Sequence, residues 1–139
     1  MDDPPRYGDG DTSFRAAGGV AGIEGLVDDF YRRMDEQPHA ETIRRMHPAD
    51  LAVSRDKLAR FLCGWLGGPK RYSEKYGPIH IPRAHQHFRI GDAERDAWLR
   101  CMEEAIAAQP YAESFRAYLL RELRVPAERI RETSREPGL

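Results

Sequence analysis

The sequence predicts an all-α protein, and three observations carry this prediction. Four segments place apolar residues at spacings of three and four, which gives a helix one apolar face. Proline or glycine follows most of these segments and ends each helix there. No run of four or more residues alternates apolar and polar side chains in a β-rich composition, as a half-buried strand would.

The first main helix is predicted over residues 20–35. Its apolar face consists of Ile23, Leu26, Val27, Phe30, Tyr31 and Met34. Pro38 follows the last turn and ends the helix. A short helix is predicted over residues 40–46, ending before Pro48 because the residue before a proline avoids the helical region.

The second main helix begins after Asp50, a good N-cap residue, and ends at Gly67-Gly68-Pro69. Its apolar face consists of Leu51, Leu58, Phe61, Leu62, Trp65 and Leu66. Residues 69–91 are predicted to be irregular, with a turn or two of helix around residues 83–87. Loops of this length in compact domains are usually functional.

The third main helix is predicted from a cap at Asp92 to about residue 108, and Gln109-Pro110 breaks it. Its apolar face consists of Ala97, Trp98, Cys101, Met102, Ala105 and Ile106. The last helix covers residues 111–123, and Pro126 fits the first turn of a short continuation to about residue 132.

The length of 139 residues corresponds to one domain. Residues 1–18 carry Asp, Gly, Pro, Ser and Arg without any period, which predicts a flexible N-terminal arm. We therefore expect one folded domain over residues 19–133 and a C-terminal tail over residues 134–139.

Charge and composition exclude several classes of protein. The 22 Lys and Arg residues nearly balance the 23 Asp and Glu residues, so bulk charge does not favour nucleic acid or an anionic membrane. Two cysteines, Cys63 and Cys101, are too few for a disulfide scaffold or a four-thiolate metal site. The longest uncharged stretch, residues 61–69, is far shorter than the ~20 residues of a membrane span. The acidic start is unlike a signal peptide, so we expect a cytoplasmic protein.

Most catalytic motifs are absent from the sequence. None of the five histidines forms an i,i+4 pair on a predicted helix, and there is no Cys-x-x-Cys-His motif for covalent haem. There is also no Gly-x-Ser-x-Gly elbow and no glycine loop for phosphate. A non-covalent haem remains open, because it needs only one histidine ligand and an apolar slot between helices.

Several motifs then resemble one family in order and in spacing. They are Phe30-Tyr31, Phe61-Leu62-x-x-Trp65-Leu66-Gly67-Gly68-Pro69, Tyr72-Ser73-Glu74-Lys75-Tyr76-Gly77, His85-Gln86-His87-Phe88-Arg89-Ile90 and Glu94-Arg95-Asp96-Ala97-Trp98. Together they resemble the truncated haemoglobins of group II, the O-type globins. The resemblance covers about residues 19–132 and implies a two-over-two helical sandwich around a non-covalent haem b.

The resemblance implies a role for each matching residue. His85 matches the proximal histidine that binds the iron and leaves its sixth position open. Tyr31 and Trp98 match the distal residues that donate hydrogen bonds to a bound ligand; packing in the core is the alternative role for both. His47 departs from the Tyr or Phe found in many relatives, and could donate to the ligand, deliver a proton or bind the iron as a sixth ligand.

The remaining matches surround the expected haem. Ser54 matches the position where many ordinary globins have a distal histidine, and a small residue there leaves an open gate. The residues expected to contact or support the porphyrin are Leu58, Phe61, Leu62, Trp65 and Phe88, with core packing as the alternative. The candidates for binding the haem propionates are Lys57, Tyr72 and Arg83, with a solvated surface position as the alternative for the two cations.

The implied function is reversible binding of O2 and of other small ligands such as NO, CO or peroxide. The alternative is a redox enzyme that removes NO or turns over peroxide in a peroxidase-like reaction. Such an enzyme would need an external reductase, because the chain has no flavin or nicotinamide motif. A monomer or a homodimer is expected.

Overall fold

The computed structural model describes residues 6–78 and 90–135, with side chains to Arg131. Every regular element in these ranges is helical. The helices are α1 (Thr12–Ala16), α2 (Gly19–Glu36), a 3-10 turn (Pro38–Ala40), α3 (Glu41–Arg45), α4 (Ala52–Trp65), α5 (Arg71–Tyr76), α6 (Asp92–Ala107) and α7 (Glu113–Arg135). None of the described helices combines the length and apolar composition that a membrane span requires.

Helix α2 is the central element of the fold. It packs against α4 on one side and against α6 on the other, while α7 packs on α6. All six residues of its predicted apolar face are buried, which confirms the helical period found in the sequence. Helix α2 ends at Glu36, and Pro38 begins the 3-10 turn that follows.

The core is formed where the apolar faces of these helices meet. Its largest fully buried side chains are Phe30, Phe115, Ile23, Leu26, Met34, Leu62, Met102, Leu119 and Leu123. Cys63 and Cys101 are free thiols that are wholly buried in this cluster, as their positions on apolar helix faces predict.

The N-terminal segment differs from the expected irregular arm. Residues 12–16 form α1, and the Phe14 amide donates a hydrogen bond to the Leu66 carbonyl at the end of α4 (3.0 Å). The Tyr7 ring packs on Phe115 of α7, with ring centroids 5.3 Å apart. The segment is too short to show an apolar period, so its helix depends on these tertiary contacts. The mobility expected of residues 1–18 stays a prediction.

Two further elements correct the sequence-based prediction. Helix α5 lies within residues 69–91, which we expected to be irregular; hydrogen bonds from Lys75 and Tyr76 to Asp56 fix it on α4. Helix α7 continues through Pro126 without a break. Burial of Leu123 and Ala127 on either side of the proline supports the helix despite the missing N–H donor.

The predicted N-caps are displaced by one residue. Helix α4 has Leu51 at its N-cap, and the Asp50 carboxylate instead accepts a hydrogen bond from the Ala52 amide (2.9 Å). Helix α6 has Gly91 at its N-cap, so Asp92 is the first helical residue. The carboxylates still lie at the helix N-termini, where they interact favourably with the helix dipoles.

Candidate functional site

Four aromatic rings form a continuous chain from α6 to the turn after α3. The Phe30 ring lies between Trp98 and Tyr31, with centroid distances of 5.2 and 5.0 Å. The Tyr31 ring in turn lies 5.8 Å from the His47 ring. All three contacts along the chain are close to edge-to-face, the arrangement that aromatic pairs prefer. The fold therefore brings the three predicted distal residues into one chain of contacts, in which Phe30 lies between Trp98 and Tyr31.

Tyr31 is buried, with 5% of its surface exposed. Burial raises the pKa of its hydroxyl, and the charge of Arg55 on α4 opposes this rise. No hydrogen bond from another described side chain offsets the effect of burial. The hydroxyl is thus a protonated donor, and none of the described side chains accepts a hydrogen bond from it.

His47 has a defined tautomer. Its Nδ1 lies 2.8 Å from the Ile43 carbonyl oxygen, and a carbonyl can only accept a hydrogen bond. The proton therefore lies on Nδ1, and in the neutral ring Nε2 carries the lone pair. The hydrogen bond spans the end of α3, so this short helix determines where the imidazole lies.

The face of α4 contains the residues expected beside the porphyrin. Leu58, Phe61 and Trp65 pack against the core but remain half-buried, and the Phe61 and Trp65 rings stack 6.2 Å apart. Leu62 is wholly buried in the core, and Ser54 is half-buried in the first turn. Half-buried apolar side chains on neighbouring turns leave an apolar surface that a flat hydrophobic group would cover.

Lys57 and Tyr72 lie at the junction of α4 and α5, around Tyr76. Lys57 is exposed, with its Nζ 5.4 Å from the centre of the Tyr76 ring. The half-buried Tyr72 ring lies 5.1 Å from the same ring. Two of the three residues predicted to bind propionates therefore lie beside the same ring.

Three predicted site residues, Arg83, His85 and Phe88, lie outside the described residues, as does the turn of helix expected around residues 83–87. Their predicted roles stay predictions.

The sequence-based interpretation missed several residues that the structure places at the site. Phe30 separates Tyr31 from Trp98, and Arg55 is close enough to Tyr31 to affect its pKa. Asp56 and Tyr76 join α4 to α5. Only one of these contacts could have been expected from the sequence: Asp56 and Arg60 have the i,i+4 spacing of a helical ion pair, and they are paired at 2.9 Å.

The fold and site define an all-helical protein whose aromatic side chains from α2 and α6 meet next to the half-buried apolar face of α4. Residues 12–130 match the model of the bacterial-like globin family, and the chain belongs to this family.

Individual relatives agree with this assignment. The group 2 truncated hemoglobin YjbI of Bacillus subtilis (strain 168) is 32% identical over 105 residues, which are 76% of this chain and 77% of that protein. The group II 2-on-2 hemoglobin from the plant pathogen Agrobacterium tumefaciens is 34% identical; the match covers 94% of this chain and 97% of that chain, with a TM-score of 0.82. The truncated oxygen-avid haemoglobin from Bacillus subtilis is 30% identical; the match covers 85% and 97%, with a TM-score of 0.78.

These findings confirm the predicted truncated-haemoglobin family and the all-α, two-over-two fold class. Membership of the family implies a haem cofactor and small gaseous ligands such as O2. The described residues fit such a cofactor in two respects. The half-buried side chains of α4 supply an apolar surface, and Tyr31 supplies a buried donor without a partner among the described side chains.

Proposed function

We propose that this protein binds haem b non-covalently and uses it to bind O2 and other diatomic ligands reversibly. The observation that carries the proposal is the hydroxyl of the buried Tyr31, which forms no hydrogen bond with another described side chain. The Tyr31 ring belongs to a chain of aromatic contacts that also includes Trp98 and His47. The similar oxygen-avid haemoglobin from Bacillus subtilis supports O2 as a ligand.

The proposed haem-holding residues act in three ways. His85 binds the iron; Leu58, Phe61, Leu62, Trp65 and Phe88 contact or support the ring; and Lys57, Tyr72 and Arg83 bind the propionates. When bound, the haem supplies an iron with one open coordination position for a small ligand.

The distal residues determine how long that ligand stays. The Tyr31 hydroxyl and the Trp98 indole N–H are both donors, and burial around Tyr31 strengthens its hydrogen bond by excluding water. Ser54 is small and half-buried in the first turn of α4, and we assign the entry of ligands to this position. Two donors on one ligand favour slow release over rapid delivery.

A second candidate function is redox chemistry on NO or peroxide. The observation that favours it is the position of the His47 ring, 5.8 Å from the Tyr31 ring, because imidazole is the commonest general acid–base group in proteins. This function would require an external reductase for repeated turnover with NO. Reversible O2 binding without any turnover of peroxide or NO would contradict it. The cytoplasmic location and the monomeric or homodimeric state stay predictions.

Absorption spectroscopy tests the main proposal. We expect the purified protein to bind one haem and to show a Soret band, and the ferrous form to have a five-coordinate spectrum. His85→Ala should lose the haem or its proximal coordination, whereas His39→Ala, at a histidine whose Nε2 lies 3.9 Å from Glu104 of α6, should keep both. A normal ferrous spectrum in His85→Ala would overturn the assignment of the iron ligand.

A further inference from the structure

The carboxylate of Asp56 joins α4 to α5 through three hydrogen bonds. Its Oδ2 accepts from Lys75 Nζ at 2.8 Å and from the Tyr76 hydroxyl at 2.5 Å, and its Oδ1 accepts from Arg60 Nε at 2.9 Å. These bonds hold the pKa of Asp56 well below its usual range, so the carboxylate stays ionised. The end of α5 is thereby fixed on the middle of α4.

The ring of Tyr76 contacts both residues that are predicted to bind the propionates and lie in the described part of the chain, Lys57 and Tyr72. Lys57 Nζ lies 5.4 Å and Lys75 Nζ 5.3 Å from its centre, and the Tyr72 ring lies 5.1 Å away. An exposed lysine has many rotamers, and ordering it costs entropy. Contact with a ring whose hydroxyl is fixed by Asp56 restricts Lys57 before any ligand arrives.

The charges of this cluster do not balance. Lys57, Arg60 and Lys75 supply three positive charges, whereas Asp56 supplies one negative charge. Two positive charges are left over among these four groups. A haem carries two propionates, so the excess matches the charge of the group that Lys57 and Tyr72 are proposed to bind.

We propose that Asp56 and Tyr76 are positioning residues that hold Lys57 and Tyr72 in place for the haem propionates. This inference rests on the proposed function and adds to it two residues that do not themselves contact the haem. The competing explanation is that the Asp56 linkage only stabilises the contact of α5 with α4.

The experiment compares protohaem with its dimethyl ester, whose propionates are uncharged. For each form we measure how fast the full-length holoprotein loses its haem to an excess of a haem-scavenging apoglobin. The rate for the ester divided by the rate for protohaem isolates the contribution of the propionate charges. In the unchanged protein, protohaem should dissociate more slowly than the ester.

The variants are Tyr76→Leu, Tyr76→Phe and Asp56→Asn. Partly exposed ion pairs contribute a factor of roughly 1.5–5 to an equilibrium. We therefore expect the rate ratio to shrink by about two- to fivefold in Tyr76→Leu and Asp56→Asn. Tyr76→Phe keeps the ring but loses the bond to Asp56, so its ratio should lie between those of the unchanged protein and Tyr76→Leu.

Glu128→Gln is the matched control. Glu128 is also a carboxylate held by arginines, Arg95 and Arg131, but it joins α6 to α7. This variant should leave the ratio unchanged even if it loosens the fold. The positioning role is wrong if the Tyr76 and Asp56 variants speed the loss of protohaem and of its dimethyl ester by the same factor. It is also wrong if they leave both rates unchanged. Failure of the unchanged protein to bind protohaem would instead overturn the proposed function.

Discussion

At the scale of single residues, Tyr31 shows how one side chain serves both packing and chemistry. Its ring is one of the six apolar positions that bury α2, and it contacts Phe30 and His47 edge-on. Its hydroxyl, however, has no hydrogen bond to any described side chain, and its ring contacts His47, so it is the buried tyrosine proposed to donate to a ligand.

Replacing Tyr31 by Phe should accelerate O2 release. A hydrogen bond to a charged group contributes ~1.5–3 kcal/mol, so its loss should raise the dissociation rate by roughly 10- to 150-fold. Stopped-flow measurement on the ferrous protein checks this expectation. Folding stability should change little, because the removed hydroxyl has no described partner.

Tyr111→Phe is the control for this substitution. Tyr111 is also buried, its hydroxyl likewise has no partner among the described residues, and burial raises its pKa to about 12. Because its ring packs on Phe115 of α7 and is not part of the chain of rings from Trp98 to His47, its replacement should leave O2 release unchanged. Equal rates in both variants would exclude Tyr31 as the ligand's donor.

At the scale of elements, the end of α4 depends on two glycines. A Cβ atom at Gly67 would lie 1.9 Å from the Gly10 carbonyl oxygen, and Gly67 has a positive φ of 93°. A Cβ atom at Gly68 would lie 2.4 Å from the Phe14 ring. The N-terminal segment therefore passes the end of α4 at two adjacent residues that lack side chains.

Gly68→Ala should consequently destabilise the protein. Overpacking against Phe14 costs about 1–3 kcal/mol in the free energy of unfolding, which urea titration measures. Gly25→Ala is the matched control: Gly25 lies inside α2, and its added Cβ would meet nothing closer than 3.9 Å. It should stabilise the helix by about 0.5–1 kcal/mol. Equal effects of the two substitutions would contradict the close approach of Phe14.

Two helices show why element boundaries were the weakest part of the sequence-based prediction. Helix α5 spans six residues, too few for an apolar period, and is held by side-chain bonds to a residue 19 or 20 positions earlier. Helix α7 continues through Pro126, where local preference favours a new helix start. In both cases tertiary contacts outweigh the local sequence.

At the scale of the whole molecule, ion pairs connect the beginning of α6 to the second half of α7. Glu128 accepts hydrogen bonds from Arg131 and from Arg95, and these lower the pKa of Glu128 to about 2. Arg131 Nη1 also lies 3.3 Å from Asp92 Oδ1. Asp92 and Arg95 both lie in the first turn of α6, so this network fixes the beginning of α6 on α7.

The depressed pKa of Glu128 predicts how stability depends on pH. A carboxyl whose pKa is lower in the folded protein stabilises the fold above its unfolded pKa of about 4.5, and that contribution is lost as the pH falls towards 2. The unchanged protein should therefore lose stability over this range more steeply than Glu128→Gln. Urea unfolding at pH 6, 4 and 3 measures the difference.

Glu103→Gln provides the control, because Glu103 is exposed and has no ion pair with the described residues. It should follow the pH profile of the unchanged protein. A Glu128→Gln profile parallel to that of Glu103→Gln would show that the network does not contribute to acid stability.

The sequence by itself determined the fold class, the family and the buried faces of the main helices. Apolar spacing is a local property, so the six buried residues of α2 could be found without a structure. The order and spacing of motifs around Tyr31 and Trp98 likewise identified the truncated haemoglobins, a family that the comparisons confirm.

Only the tertiary structure decided which side chains meet. These contacts join residues that are distant in the sequence or separated by a helical turn. They are the contacts of Phe30 with Trp98, of Phe14 with Gly68, and of Asp56 with Arg60 and Tyr76. Such contacts depend on how helices cross, and the spacing within one helix carries no information about its partner. For the same reason the short helices α1 and α5 form only where the rest of the fold holds them.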